Sequence, residues 1–260
     1  MSSLPHDLYC DEIISRTDAL RAAIKGADLD ATVPTCPDWT LRDLAVHLGG
    51  AHRWVGEIVR TRAVAEVADD QVPEFRPGSD DPAVLDAWLA DGAAKTAEAL
   101  RAAGPDQRVW SWMGEGRQHT GFWARRMAHE TIVHQADAAL TAKTDYRVAP
   151  ELAADTIEEW LEIVAFAQAA GDKEAAGLRG GGRSIHLHAT DVPGAEWLIA
   201  FDEDGFTWRR VHERATVALR GPLTDVMLVF NRRLAAGSDR VEVLGERELL
   251  DFWLERAAFG

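Results

Sequence analysis

Cysteine is nearly absent: Cys10 and Cys36 are the only two in 260 residues. A disulfide framework is therefore excluded, and a reducing compartment is expected. Lysine is also scarce, supplying four of the 28 basic side chains, while 43 acids set the formal net charge at −15. A chain without clustered cations lacks what nucleic-acid backbones and anionic bilayers bind, so neither is expected as a partner. The longest apolar stretch, from Trp160 to Ala170, is interrupted by Glu162 and Gln168. It falls short of the roughly 18 residues a spanning helix requires. The N-terminal Met1-Ser2-Ser3-Leu4-Pro5-His6-Asp7 has no cationic start and no apolar core segment. No secretory leader is expected there, and the expected location is cytoplasmic.

What the chain does contain is 47% hydrophobic and 27% charged residues, the balance of a soluble globular protein. A chain this long buries roughly three quarters of its unfolded surface, enough for one large domain or two small ones. Arginine in place of lysine, together with abundant alanine, points to a GC-rich bacterial genome.

Periodicity divides the chain. Ile13, Ile14, Thr17, Leu20 and Ile24 recur at helical steps over about residues 8–25. Pro34 and Pro37 make the stretch 33–39 a rigid loop. Thr40 with Asp43 forms a capping-box pattern that opens a second helix, running to about Val67 with Leu41, Leu44, Leu48, His52, Val55 and Val59 in phase. Pro82 starts a third helix, and fourth and fifth helices are expected over about 120–142 and 150–170. Beyond Gly171 the pattern changes to glycine-rich linker and alternating strands near 184–190, 196–202, 206–210, 215–219 and 241–244, with helices over 222–232 and 246–256. The expected fold is a helical bundle over residues 1–172, followed by a smaller α+β domain over 178–260.

The fourth helix carries the chemistry. Glu130 and His134 are one turn apart and share a face with Arg126 and Asp137. Apolar neighbours Trp123, Met127 and Val133 turn this polar face inward or into a cleft, where four unpaired ionisable groups would be costly. A metal ion resolves that conflict; an interhelix ion pair is the plainer alternative. The spacing is not that of H-E-x-x-H, since His129 and His134 diverge. Further donors lie on the second helix, where His47 and His52 are separated by about 140° of arc, so at most one of them faces a given ion. Asp137 fits better as a hydrogen-bond partner of an imidazole than as a ligand. His186 and His188 share one face of a strand, but no third ligand lies nearby in sequence, which argues against a metal there. Cys36 has no local base and reads as a small packed side chain, while Trp110 and Trp112 are candidates to line a pocket.

The segments Val33 to Thr40, His47 to Trp54 and Trp123 to His134, with Ile185 to Thr190 and Ala218 to Pro222 further on, resemble the mycothiol-dependent maleylpyruvate isomerase family. That resemblance spans nearly the whole chain. It implies a DinB-like helical bundle followed by a sterol-carrier-like α+β domain. It also implies a divalent metal, usually zinc, held by His52, Glu130 and His134, with His47 in a supporting role. Mycothiol is then the thiol cosubstrate, the host actinobacterial, and the activity a cis-trans isomerisation or an S-transfer on a small electrophile. The family's substrate-side arginine falls on Arg209, Arg210 or Arg220 without a unique match. A monomer or small homo-oligomer is expected. The competing readings are a non-catalytic protein that binds a small hydrophobic ligand, and a hydrolase using zinc-bound water.

Overall fold

A computed structural model describes residues 4–258; Met1 to Ser3, part of the stretch where no leader is expected, lie outside the described residues. The chain divides into two units, residues 1–146 and 147–260. The boundary lies before the fifth helix rather than after it. The sequence reading places that helix with the bundle because a continuous helical pattern carries no sign of which core it joins.

In the first unit, α1 (His6–Ile24) buries Tyr9, Cys10, Ile13, Thr17, Leu20 and Ile24, a stripe at three- and four-residue steps. The proline-bearing stretch is more ordered than a loop. It forms a short antiparallel pair of β1 (Thr32–Val33) and β2 (Cys36–Thr40), with a register shift between Thr32 and Val33. Helix α2 (Leu41–Thr61) begins at the expected capping box. Asp43 N donates to Thr40 Oγ1 at 3.1 Å, and Thr40 N donates to Asp43 Oδ2 at 2.9 Å. Two otherwise orphaned backbone donors are thereby satisfied. The helix stops at Thr61, short of Val67, where Arg62 adopts left-handed φ 52° and closes the last turn.

Helix α3 (Pro82–Ala103) starts on an Asp81 cap with Pro82 in its first turn, and α4 (Thr120–Ala142) on a His119 cap. Helix α1 packs on α3 and α4, and α2 packs on the same two. Leu20, Leu41, Leu44, Leu48, Leu85 and Leu89 fill the core. At Gly49 a Cβ would come within 2.1 Å of the Trp88 ring, so glycine is what allows α2 and α3 to approach so closely.

The second unit opens with α5 (Pro150–Ala169) and continues as a five-stranded sheet of order β5-β4-β3-β6-β7. The strands are β3 (Ser184–Ala189), β4 (Glu196–Phe201), β5 (Phe206–Arg209), β6 (Val217–Gly221) and β7 (Glu242–Gly245). Only β3 and β6 pair in parallel. Helix α6 (Leu223–Phe230) leads from β6 towards β7, and α7 (Arg247–Arg256) ends the unit.

Alternation places Ile185, Leu187, Trp197, Ile199, Val217 and Leu219 on one face of the sheet, all buried. Trp253 of α7 stacks on Phe230 of α6 at 5.4 Å and meets Phe206 edge-on at 4.9 Å. The opposite face carries His186, His188, Glu196 and Ala218. Among the described residues no helix is long and apolar enough to cross a membrane.

The Glu158 carboxylate ties α5 to this sheet. Glu158, 5% exposed, accepts from the indole N–H of Trp197 at 2.6 Å, the indole of Trp208 at 3.0 Å and Arg210 Nε at 2.9 Å. Removing the acceptor leaves three donors without it, one of them charged. Glu158→Leu is expected to lower the stability of the full chain by about 2–4 kcal/mol in equilibrium urea unfolding, and Glu158→Gln, which keeps one acceptor oxygen, by about half of that. A loss below about 1 kcal/mol for the leucine variant would show that the hub does not hold α5 in place.

Candidate functional site

The polar face of α4 meets α2 in the first unit. Glu130 Oε1 lies 3.1 Å from His134 Nε2, one turn along the same helix, and 3.1 Å from His47 Nε2, which α2 delivers from across the contact. The two imidazole rings stand nearly perpendicular, 5.0 Å between centroids at 81°. Arg126, one turn before Glu130, donates to the other carboxylate oxygen at 2.8 Å. Trp39 of β2 covers both rings, 4.7 Å from His47 and 6.1 Å from His134. His47, Glu130 and His134 each offer a donor atom, all within 4.8 Å of one another.

A second layer fixes the orientation of His134. Its Nδ1–H donates to Asp137 Oδ2 at 2.9 Å, and Asp137 is fully buried. The β1–β2 turn completes the string, because the Thr35 hydroxyl donates to Asp137 Oδ1 at 2.5 Å. The proline-bearing stretch thus has a role the sequence does not disclose: it delivers a hydroxyl to the acid behind the imidazole. With Nδ1 committed to Asp137, Nε2 is the atom His134 presents towards His47 and Glu130.

The electrostatics reflect this crowding. Burial opposes charge on His134, but Glu130 and Asp137 outweigh it and raise the imidazole to about 9. Burial likewise opposes charge on Glu130, yet His134, His47 and Arg126 hold its carboxyl well below the usual carboxylate range. Without a cation, the site keeps a proton on the imidazole to balance its carboxylates.

The structure does not bring His52 into this group. Its ring is fully buried, and Nε2 lies 2.9 Å from Thr131 Oγ1, whose own proton goes to Met127 O at 2.6 Å. Thr131 can therefore only accept, which assigns the His52 proton to Nε2. His52 Nδ1 is buried with no hydrogen-bond partner among the described residues. Burial, the largest influence, pushes the imidazole down to about 3, so it stays neutral. The reason is helical phase: His52 falls in register with Leu41, Leu44, Leu48, Val55 and Val59, the stripe that enters the core. His47 lies off that stripe and keeps an accessible edge, 39% exposed. Phase relative to the apolar stripe was the signal that separates the two histidines.

Other candidates are placed elsewhere. His129 is fully buried and meets Tyr9 edge-on at 5.9 Å. Cys36 packs against the first unit's core, and burial pushes the Cys10 thiol up to about 11, which removes it as a nucleophile at neutral pH. Trp110 packs on Trp54 and Trp123, and Trp112 lies half-exposed against Phe122. In the second unit Arg209 forks onto Glu213, Arg210 joins the Glu158 hub, and Arg220 reaches Glu242 at 3.2 Å.

Comparison with known proteins agrees with this architecture. No curated protein sequence matches the chain. Two crystal structures of a mycothiol-dependent maleylpyruvate isomerase, one of them a point mutant, superpose with a TM-score of 0.61. They cover 94% of this chain and 95% of theirs, at 15% identity for the mutant and 14% for the other, so the likeness is one of fold. Residues 10–139 match the mycothiol maleylpyruvate isomerase N-terminal domain, and residues 151–252 match the MDMPI C-terminal domain. The chain belongs to the mycothiol maleylpyruvate isomerase family.

Proposed function

We propose that this chain is a metal-dependent, mycothiol-using isomerase acting on a small unsaturated acid of the maleylpyruvate kind, with the metal held by His47, Glu130 and His134. The observation that carries the reading is the convergence of two imidazole Nε2 atoms on one carboxylate oxygen, each at 3.1 Å, within a family defined by that activity. Two nitrogens and one oxygen suit zinc or a similar divalent ion, and three protein ligands leave a coordination position for an exogenous group. His47 replaces His52 in this assignment, because the His52 Nε2 is engaged with Thr131 in the core.

Bound there, the cation supplies a thiol ionised at neutral pH, suited to reversible addition across an activated cis double bond. The chain's own residues prepare for this. Asp137 keeps the His134 proton on Nδ1 and leaves Nε2 free to ligate, while Thr35 restrains Asp137. Arg126 offsets the charge of Glu130 and fixes its second oxygen. Trp39 covers one side of both imidazoles and excludes water from it. Neither cysteine of the chain is needed, since the sulfur arrives with the thiol.

Metal analysis of untagged protein purified without chelator tests the ligand set. His47→Ala, Glu130→Ala and His134→Ala are each expected to lose about one ion per chain relative to the unsubstituted protein, and His52→Ala to retain it while losing about 2–3 kcal/mol of stability to the cavity it leaves. Loss of metal in His52→Ala and retention in His47→Ala would reverse the assignment.

Proton linkage offers a second measurement. His134 is protonated below about 9 in the metal-free site and must shed that proton to ligate, so binding weakens as pH falls below 9. Zinc titrations near neutral pH, in buffers of different ionisation enthalpy, are expected to report release of about one proton for the ion that Glu130→Ala abolishes. Release of none would mean that His134 is not displaced.

For the reaction itself, cis-trans isomerisation of an unsaturated diacid is expected with mycothiol present and is expected to be lost without it. Isomerisation that persists without the thiol would overturn the mycothiol dependence, and a hydrolysis product formed without it would favour a hydrolase using metal-bound water.

A further inference from the structure

The second unit gathers its own set of metal-ligating side chains. His186 and His188 of β3 project from the sheet face opposite Ile185, Leu187 and Trp197, and Glu196 is paired in register with His188 on β4. The segment after β5 folds His212 over the same spot. One carboxylate oxygen, Glu196 Oε2, lies 3.0 Å from His186 Nε2, 3.0 Å from His188 Nδ1 and 2.5 Å from His212 Nδ1. The three rings form a near-equilateral triangle with centroids 5.4–5.5 Å apart. All four donor atoms lie within 4.8 Å of one another.

Hydrogen bonding alone does not account for this arrangement. A carboxylate oxygen has two lone pairs, so three imidazoles cannot all be well served by it. His188 and His212 make acceptable bonds. His186, 6% exposed, does not: its buried Nε2 lies 3.0 Å from the oxygen yet makes no hydrogen bond among the described residues. A buried ring nitrogen that makes no hydrogen bond and is aimed at a point shared with three other donors is the geometry of a coordination site before its ion arrives. A cleft of about 470 Å³ adjoins the cluster, lined in part by His186, His212, Arg214, Thr216 and Leu244, and gives an ion a route in.

We propose that His186, His188, His212 and Glu196 form a second metal site, independent of the one on α2 and α4, that takes a divalent transition-metal ion of the zinc class. Three imidazole nitrogens and one carboxylate oxygen match the tetrahedral preference of zinc, and the absence of thiolate disfavours softer ions such as copper(I). Calcium and magnesium, which select oxygen donors, are disfavoured by the same set. The site rests on none of the ligands of the proposed isomerase centre, and the two are separable by mutation.

The test uses untagged full-length protein with zinc, and with cobalt(II) as a spectroscopic probe. In a His134→Ala background, which removes the α4 ligand, the chain is expected to bind about one ion with micromolar or tighter affinity and to give the ligand-field absorption of a nitrogen-rich cobalt site. Adding His212→Ala is expected to abolish that ion. The His212 side chain is 73% exposed, so its removal leaves the metal-free fold undisturbed, which matching circular dichroism and melting temperature without metal would verify. His188→Ala is expected to lose the same ion and the zinc-induced rise in melting temperature. No binding in the His134→Ala background, or binding unchanged by both His188→Ala and His212→Ala, would overturn the second site. Failure of the isomerase centre alone would look different: His134→Ala would leave metal content unchanged, while His212→Ala would still remove one ion.

Discussion

The Glu130 carboxylate is the constraint around which the first unit is organised. It lies three-quarters shielded from solvent, with an imidazole on either side of one oxygen and a guanidinium on the other. A charge in that position is tolerable only if its partners are held still, and much of the surrounding structure does that. The capping box fixes where α2 begins, and Gly49 lets α2 sit against Trp88. On α3, Gly92 leaves space for the Arg53 guanidinium, since a Cβ there would lie 2.1 Å from Nη1. The axial and rotational setting of α2 then brings His47 against Glu130 and His52 against Thr131, both on α4.

This explains which features were legible in the sequence. Helix starts at Thr40, Pro82 and Pro150 follow from local signals, a capping box at the first and proline in the first turn at the other two, and the strands of the second unit follow from two-residue alternation and glycine-rich turns. The Glu130–His134 pair is equally local, because an i, i+4 step on a helix admits one geometry. Choosing between His47 and His52 needed knowledge of which of them meets Glu130 on α4 and which meets Thr131, a tertiary fact that periodicity constrains without stating. The apolar stripe already contained His52, and a side chain in phase with Leu48 and Val55 goes into the core. The fifth helix posed the same difficulty on a larger scale: its partner Glu158 hub is built from residues 39 to 52 positions further along.

The two histidine clusters differ in how their charges are balanced. In the first, Asp137 backs one imidazole and Arg126 counters the acid, so four ionisable groups form a chain with a defined order. In the second, three imidazoles share one acid on the sheet face opposite the aromatic core. The first arrangement would offer a metal ion three protein donors, and the second would offer four.

The sheet order carries a consequence for how the second unit assembles. Strands β3, β4 and β5 follow one another through short connections, whereas the parallel partner of β3 arrives only after the chain has run through that meander and back, with Ile185 meeting Val217. Closing the meander therefore costs the chain less entropy than docking β6 and everything after it. His186, His188, Glu196 and His212 all lie within or just past that local segment. A coordinating ion would thus act as a cross-link on the part of the sheet with the lowest contact order, clamping the loop that His212 belongs to against the strands that template the rest of the unit.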